Sequence, residues 1–332
     1  MKRLAPAVAM LLLVGVTCAA CERAVAGSVL DRVKARGSVE CGGFARPGLA
    51  ASDGNTWKGL EVDICRAVAV AVLGSADKIS FHVYAGAGEE ELLAGMTDDI
   101  AFLTGTEIHD HRLSGRIIPG PAIFIESHAL MIPAAAPERH VMDLSGDAGI
   151  CFMSGSPLER SLPAFFDAHA RRWRPVPFSE DGEMLDAYNV QRCHAVAGEA
   201  TALAALRQER TARGANNLAS RILPEPLLSY PILAATSIQD GAWSAIVAWT
   251  VYTLIAADRP PGKWLTGGAD AMPAPLAELG PSPGWQARAI KAIGTYRDVF
   301  ERNLGGGSAL RLQPAPNAAP ASGGQLFSPV IE

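Results

Sequence analysis

Trp57-Lys-Gly-Leu-Glu-Val-Asp63-Ile-Cys65-Arg-Ala-Val-Ala-Val-Ala-Val-Leu-Gly74 is the stretch that decides the fold. It reads as a turn, a helix start and then a helix apolar on nearly every side, closed by a glycine suited to a C-cap. A helix of that kind needs a covering layer all round, so it predicts the interior of a layered domain rather than a surface element.

Upstream, Ser28 to Arg36 predicts a short amphipathic helix ended by Gly37, and Val39 to Gly43 a strand. A polar loop fills Ala45 to Thr56. Downstream, Ile79 to Tyr84 alternates as a strand, Glu89 to Gly95 reads as a helix and Ile100 to Leu103 as a strand. The long apolar run Ile123 to Ile132 carries the chain out of this unit. A second strand–helix series follows: strands at 148–153, 174–178 and 195–197, and helices at 157–170, 182–188 and 200–213. Leu227 to Ala235 is extended, Ala242 to Ala257 and Gly284 to Asn303 are helices, and Gln313 to Gly324 is irregular. Strands alternating with helices predict an α/β fold with crossover connections.

The N-terminus reads as a secretory signal over residues 1–26. Lys2 and Arg3 precede an apolar core from Leu4 to Val16, and Ala24-Val25-Ala26 is a small-x-small cleavage site. The core is too short to span a bilayer, which takes about 20 apolar residues. Lipoprotein processing at Cys21 is the alternative. The remaining 306 residues suit two lobes, and their formal charge is about −7 against −5 for the full chain. That balance lacks the basic face nucleic acid requires. Ala242 to Ala257 is apolar but also shorter than a membrane span, which predicts a core helix.

Four cysteines remain after the signal: Cys41, Cys65, Cys151 and Cys193. An oxidising compartment favours disulfides, and three connectivities are open beside free buried thiols. No Cys/His zinc spacing is present, and no cofactor motif. His109 and His111 have no visible third ligand, so no metal site is expected.

These elements resemble the periplasmic amino-acid-binding proteins of ABC transporters, solute-binding protein family 3, of the general L-amino-acid-binding type. The resemblance is carried by Leu30-Asp-Arg-Val-Lys-Ala-Arg-Gly37, Val39-Glu-Cys41-Gly, the opening stretch, Gly198-Glu199 after Arg192-Cys193, Ile222-Leu-Pro-Glu225, Ile290-Lys-Ala-Ile-Gly-Thr-Tyr296 and Val299-Phe-Glu-Arg-Asn-Leu-Gly305. It implies the two-lobed type II periplasmic-binding-protein fold. Lobe 1 would comprise 27–129 plus 235–332 and lobe 2 residues 130–234, joined by extended crossovers near His128–Met131 and Tyr230–Ala234. Pairing Cys41–Cys65 and Cys151–Cys193 keeps each bridge inside one lobe.

The same resemblance places a ligand set. Arg112 would fork onto a ligand carboxylate, a geometry Lys does not reproduce. Gly155 and Ser156 would offer it backbone N–H groups at a helix start, although Pro157 removes one donor. Helix capping by Ser156 is the plain alternative. Glu199 stands where the family binds the ammonium with Asp. Thr106 and Glu107 complete the set, Glu107 where a Thr is usual, and a carboxylate so close to Arg112 is expected to pair with it in the empty site. Leu49 stands where an aromatic ring would stack on the ligand.

The implied function is capture of an amino acid or close analogue for uptake by an ABC permease, by a monomer that closes its lobes. A sensor or accessory module with another ligand, or a cyclohexadienyl-dehydratase-like enzyme using Glu199 or Glu107 as general acid, are the alternatives.

Overall fold

A computed structural model describes residues 28–54, 56–84, 97–109, 115–212, 219–258 and 284–329. The signal segment and the helix expected at Glu89 to Gly95 lie outside the described residues.

Helix α1 (Val29–Arg36) is capped by Ser28, whose side chain accepts from the Asp31 amide, and ends at Gly37 in the left-handed conformation. Strand β1 (Val39–Gly43) follows. The stretch expected as a plain loop folds back on itself: Arg46 bridges Ala50, and β2 (Ala51–Asp53) pairs antiparallel with β3 (Thr56–Lys58). Helix α2 (Leu60–Leu73) starts at Gly59, which has φ 135°, and a Cβ there would lie 2.0 Å from the Leu49 carbonyl oxygen. Only glycine fits both constraints. As expected, α2 is buried on almost all sides from Leu60 to Ala71.

The remaining strands are β4 (Ile79–Val83), β5 (Ile100–Thr104), β6 (Ile117–Ile118), β7 (Ala122–Pro133), β8 (Gly149–Met153), β9 (Arg174–Phe178), β10 (Ala195–Glu199), β11 (Ser220–Ile222) and β12 (Leu228–Ser237). The remaining helices are α3 (Gly105–His109), α4 (Leu158–Ala168), α5 (Asp181–Asn189), α6 (Ala200–Ala212), α7 (Gly241–Ala256), α8 (Trp285–Ile293) and α9 (Tyr296–Asn303). One expected helix, Gly284 to Asn303, is two. Gly294 at φ 92° breaks it, and Thr295 restarts it through a capping box with Asp298.

The sheet runs β4-β1-β5-β12-β7-β10-β8-β9, with β11 on β7 and β6 on β12. Strands β4, β1 and β5 are parallel, as are β9, β8 and β10. Each trio is followed by one antiparallel strand, β12 beside β5 and β7 beside β10. The two halves therefore share one topology in mirrored sheet order, without a sequence repeat. Strands β7 and β12 are the connection between them: they pair with each other over Phe124–His128 and Leu228–Ile232, and each then continues into the opposite half. Met131, expected within the crossover, already pairs with Val196 and Ile222. Leu130 and Ile132 belong to the second half's core and hold it there.

The first core gathers α2, α7, α8 and α9 over β1 and β5, with Trp243, Phe102 and Tyr296 fully buried. Asp63 of α2 fastens α9, accepting from Arg302 Nε and Asn303 Nδ2 at 2.8 Å each. The second half is covered on both faces. Leu158, Leu162 and Phe166 of α4 pack on one side. Met184 and Tyr188 of α5 and Leu203 of α6 pack on the other. Cys41 is disulfide-bonded to Cys65 and Cys151 to Cys193, with Cα separations of 6.3 and 5.7 Å. Helix α7 is a core helix, and no helix among the described residues is long and apolar enough to cross a membrane.

Candidate functional site

In an open parallel sheet, ligands bind beyond the carboxyl ends of the strands. A group of the described charged and aromatic residues stands at those ends. Beyond β1, Phe44 meets Tyr84, which follows β4, edge to face at 5.5 Å, and Arg46 lies over the Phe44 ring at 5.1 Å. The Arg46 guanidinium, one-tenth exposed, stands 3.9 Å from Glu61 and 3.5 Å from Glu107. Glu107 lies in α3, beyond β5, and its other oxygen accepts the Thr104 amide at 2.6 Å. Glu61, in the first turn of α2, is fully buried, and neither carboxylate oxygen has a hydrogen-bond partner. A Cβ on Gly43 would come within 2.4 Å of Glu61 Oε2, so a glycine at the strand end admits this carboxylate.

Burial pushes the Glu61 carboxyl up to about 8; Arg46 opposes the shift and the Glu107 charge adds to it. Burial, then the Asp98 charge, raises the Tyr84 hydroxyl well above its ordinary range, and that hydroxyl donates to Asp98 at 2.8 Å.

A second group sits on the crossovers. The Tyr230 hydroxyl donates to Glu199 at the end of β10, at 2.5 Å. His128 faces Glu199 across the β7–β10 ladder and lies edge to face with Tyr230 at 5.5 Å. Its ring is 4% exposed, Nδ1 has no partner, and burial lowers its pKa against the Glu199 charge. Glu126, fully buried, accepts from Thr201 Oγ1 at 2.5 Å and the Ser127 amide at 2.8 Å. Burial carries it up to about 7; the Thr201 bond holds it down and Glu199 pushes it further up. The two groups are electrically joined, because the Tyr230 hydroxyl feels Glu199, Glu126 and, in the opposite sense, Arg46.

At the end of β8, the expected anion donors are engaged within the chain. The Gly155 amide donates to Glu159 at 3.0 Å, and Ser156 Oγ donates to the Met153 carbonyl at 2.6 Å. Ser156 therefore does not cap α4 through its side chain. Pro157 takes the capping position, which has no side-chain bond.

Of the residues expected at the site, Glu107, Gly155, Ser156 and Glu199 thus stand at strand ends. Arg112 and His111 lie outside the described residues, and Thr106 and His109 are described by backbone alone, within α3. Glu107 was expected to face Arg112; its described cation is Arg46. Leu49 is corrected. Its side chain is fully buried in the first core, where it is unavailable for stacking, and the ring of this loop is Phe44.

Arg46, Phe44, Glu61, Tyr84, His128 and Tyr230 were not foreseen as site residues. Glu61 carried a usable signal, a carboxylate in the first turn of a helix otherwise apolar on nearly every side. Among the described residues no three His, Cys, Asp or Glu side chains converge as a metal site. Chemically, the cluster offers acids and aromatic faces around one partly engaged guanidinium, a set suited to holding a small charged molecule.

No protein-family model matches the chain. It is 30% identical over 331 residues to the general L-amino acid-binding periplasmic protein AapJ of Rhizobium johnstonii, covering 93% of this chain and 94% of the relative. It is 28% identical to the glutamate/glutamine/aspartate/asparagine-binding protein BztA of Rhodobacter capsulatus, over 92% of this chain and 94% of that one. Among solved structures, an ABC-transporter periplasmic binding protein from Brucella ovis with glutathione bound superposes with a TM-score of 0.68 at 26% identity, over 92% of this chain and 99% of that chain.

Proposed function

Since this chain belongs to the periplasmic amino-acid-binding proteins of ABC transporters, solute-binding protein family 3, we propose that it is exported by cleavage after residue 26, captures an amino acid or close analogue in the periplasm, and delivers it as a monomer to an ABC permease. The lobes are residues 27–129 plus 235–332 and residues 130–234, and they close about the crossovers, the closed state being selected by ligand contacts made from both lobes. Arg112 takes the ligand carboxylate, joined by the Gly155-Ser156 turn once the Gly155 amide is released from Glu159, Glu199 takes the ammonium, and Glu107 and Thr106, with the Arg46–Glu61 pair behind them, face the remainder of the ligand. It is a binding protein and not an enzyme.

One observation carries this reading. Residues from both halves stand at carboxyl strand ends beside the crossovers, and Tyr230 feels charges from both, Arg46 and Glu199. A ligand held there touches both lobes and so favours closure.

Thermal unfolding of the mature protein against the full panel of L-amino acids tests the proposal. A ligand that binds only the folded state at about 100 times its Kd adds about 2.7 kcal/mol of stability, a shift of several degrees. No shift from any member refutes amino-acid capture. Turnover of prephenate or arogenate would move the protein to the enzymes.

A second reading has its own support. The Brucella ovis protein holds glutathione, and a γ-glutamyl peptide presents the same carboxylate and ammonium as a free amino acid. Glutathione therefore belongs in the panel, and a shift from it alone would favour the peptide.

A further inference from the structure

A cavity of about 280 Å³ lies beside the crossovers under the C-terminal tail; Glu126 of the crossover group reaches its wall, while Arg46, Glu107, Glu199 and Tyr230 do not line it. Its walls come from three parts of the fold: Phe124 on crossover β7, Ile222 and Pro224 of the second half, and Phe300 of α9 in the first. The tail forms the cover and is fastened. Asn317 accepts the Ile125 amide at 2.6 Å and donates to the Ile125 carbonyl at 2.9 Å, both buried, and the Arg207 guanidinium donates to the Leu310 carbonyl.

Two guanidiniums, Arg207 and Arg311, and one carboxylate, Glu126, line this space together with its apolar walls. Arg207 is half-buried, and burial first and the Arg311 charge second lower its pKa. Among the described residues neither Arg207 nor Arg311 forms an ion pair with a carboxylate. Arg311 is held with φ 48°, a left-handed conformation that a non-glycine residue adopts at a cost and that concentrates at functional sites. Two guanidiniums stand together here, and the described carboxylate in the same lining, Glu126, is already taken by Thr201 Oγ1 and the Ser127 amide and is pushed by burial towards its neutral form. The missing group is an anion with an apolar body. The volume, at the small end for ligand sites, sets its size near one ring.

We propose that this cavity is a second binding site, for a small organic carboxylate with an apolar body, and that its occupancy changes ligand affinity in the cleft. The coupling, though not the site, rests on the lobe-closure reading. Phe124, Ile222 and Phe300 lie on the crossover and on either half, so closure reshapes the cavity and the two ligands must influence each other reciprocally.

Calorimetric titration of the mature protein with benzoate tests this, with benzamide as the neutral isostere. Saturable benzoate binding is expected, with Kd of about 1 mM or tighter, and benzamide is expected at least about tenfold weaker, the loss of one charged partner. Arg311→Gln should weaken benzoate at least about tenfold, and Arg311→Lys should recover most of it. The Arg311 side chain is exposed, so neither substitution threatens the core. Arg112→Ala, which addresses the cleft, should leave benzoate affinity unchanged. Equal binding of benzoate and benzamide, indifference to Arg311→Gln, or loss of benzoate in Arg112→Ala would each overturn the site. A cleft-ligand affinity unaltered by saturating benzoate would overturn the coupling. Failure of the amino-acid panel would leave the benzoate result standing, so the two proposals fail separately.

Discussion

Replacing Glu61 by Gln asks whether burial or pairing governs the most deeply placed charge of the site. At 3.9 Å, Arg46 attracts an ionised Glu61 by about 4 kcal/mol at the effective dielectric that suits protein sites. Against this stand the cost of stripping water from a fully buried carboxylate, several kcal/mol per ion, and the repulsion of Glu107. Neither carboxylate oxygen recovers a hydrogen bond. Burial wins, and the carboxyl is held up at about 8 against 4.5 unfolded.

A folded-state pKa raised above its unfolded value contributes stability that is complete below pH 4.5 and is lost as pH rises through about 8. Between pH 5 and 7.5 the loss amounts to about 3 kcal/mol, at about 1.4 kcal/mol per pH unit. Gln keeps the shape and does not titrate. Urea unfolding of the ligand-free protein at half-unit steps from pH 5 to 8 reads both curves. The wild-type value should fall relative to Glu61→Gln by that amount across the window. Glu126 titrates in the same direction in both proteins and cancels in the difference. Parallel curves, within about 0.5 kcal/mol, would mean that Arg46 keeps Glu61 ionised and that the pairing outweighs the burial.

Further outcomes follow from other parts of the molecule. Arg112→Ala should weaken the cleft ligand by about 2–5 kcal/mol, measured by calorimetry with whichever amino acid the panel identifies; unchanged affinity removes Arg112 from the site. Asn317→Ala leaves the Ile125 amide and carbonyl buried without partners and should cost about 1–3 kcal/mol, with faster amide exchange at Ile125 as the local readout. Replacing Cys41 and Cys65 together by Ala opens a loop with a sequence separation of 24. The expected loss is about 3–4 kcal/mol in the denaturation midpoint analysis, and no loss would mean that the bridge is not formed in the mature protein.

The layout was legible because it is written in periodicity and punctuation. The α2 helix announced itself by an apolar run between Gly59 and Gly74, and both glycines have the positive φ that explains their presence. The crossovers were legible as apolar runs outside the strand–helix alternation. What local sequence did not contain was the partner of each charge. Arg46 lies in a polar loop whose hairpin and bridge bring it to residues 15 and 61 positions away. Leu49 misled for the same reason: the loop's turn sends it inward into the first core, while Phe44 meets Tyr84 and Arg46. The single helix read over Gly284 to Asn303 failed because apolar periodicity persists across Gly294 while the backbone does not.

The charges that were found constrain how a zwitterion enters. The described residues near the crossovers and the first-half strand ends include four glutamates, Glu61, Glu107, Glu126 and Glu199, and one arginine, Arg46. Ammonium capture needs only one acid. Burial disposes of two, since Glu61 and Glu126 are pushed towards their neutral forms. Glu107 is taken by Arg46 and the Thr104 amide. Glu199 is left, held by one hydroxyl bond from Tyr230. A carboxylate has lone pairs to accept both that hydroxyl and an ammonium, so Tyr230 need not leave. It instead fixes the direction in which Glu199 points. Arg46, already facing Glu107 and Glu61, is the poorer partner for an incoming carboxylate, so the proposed assignment of that role to Arg112 stands or falls on the Arg112→Ala measurement.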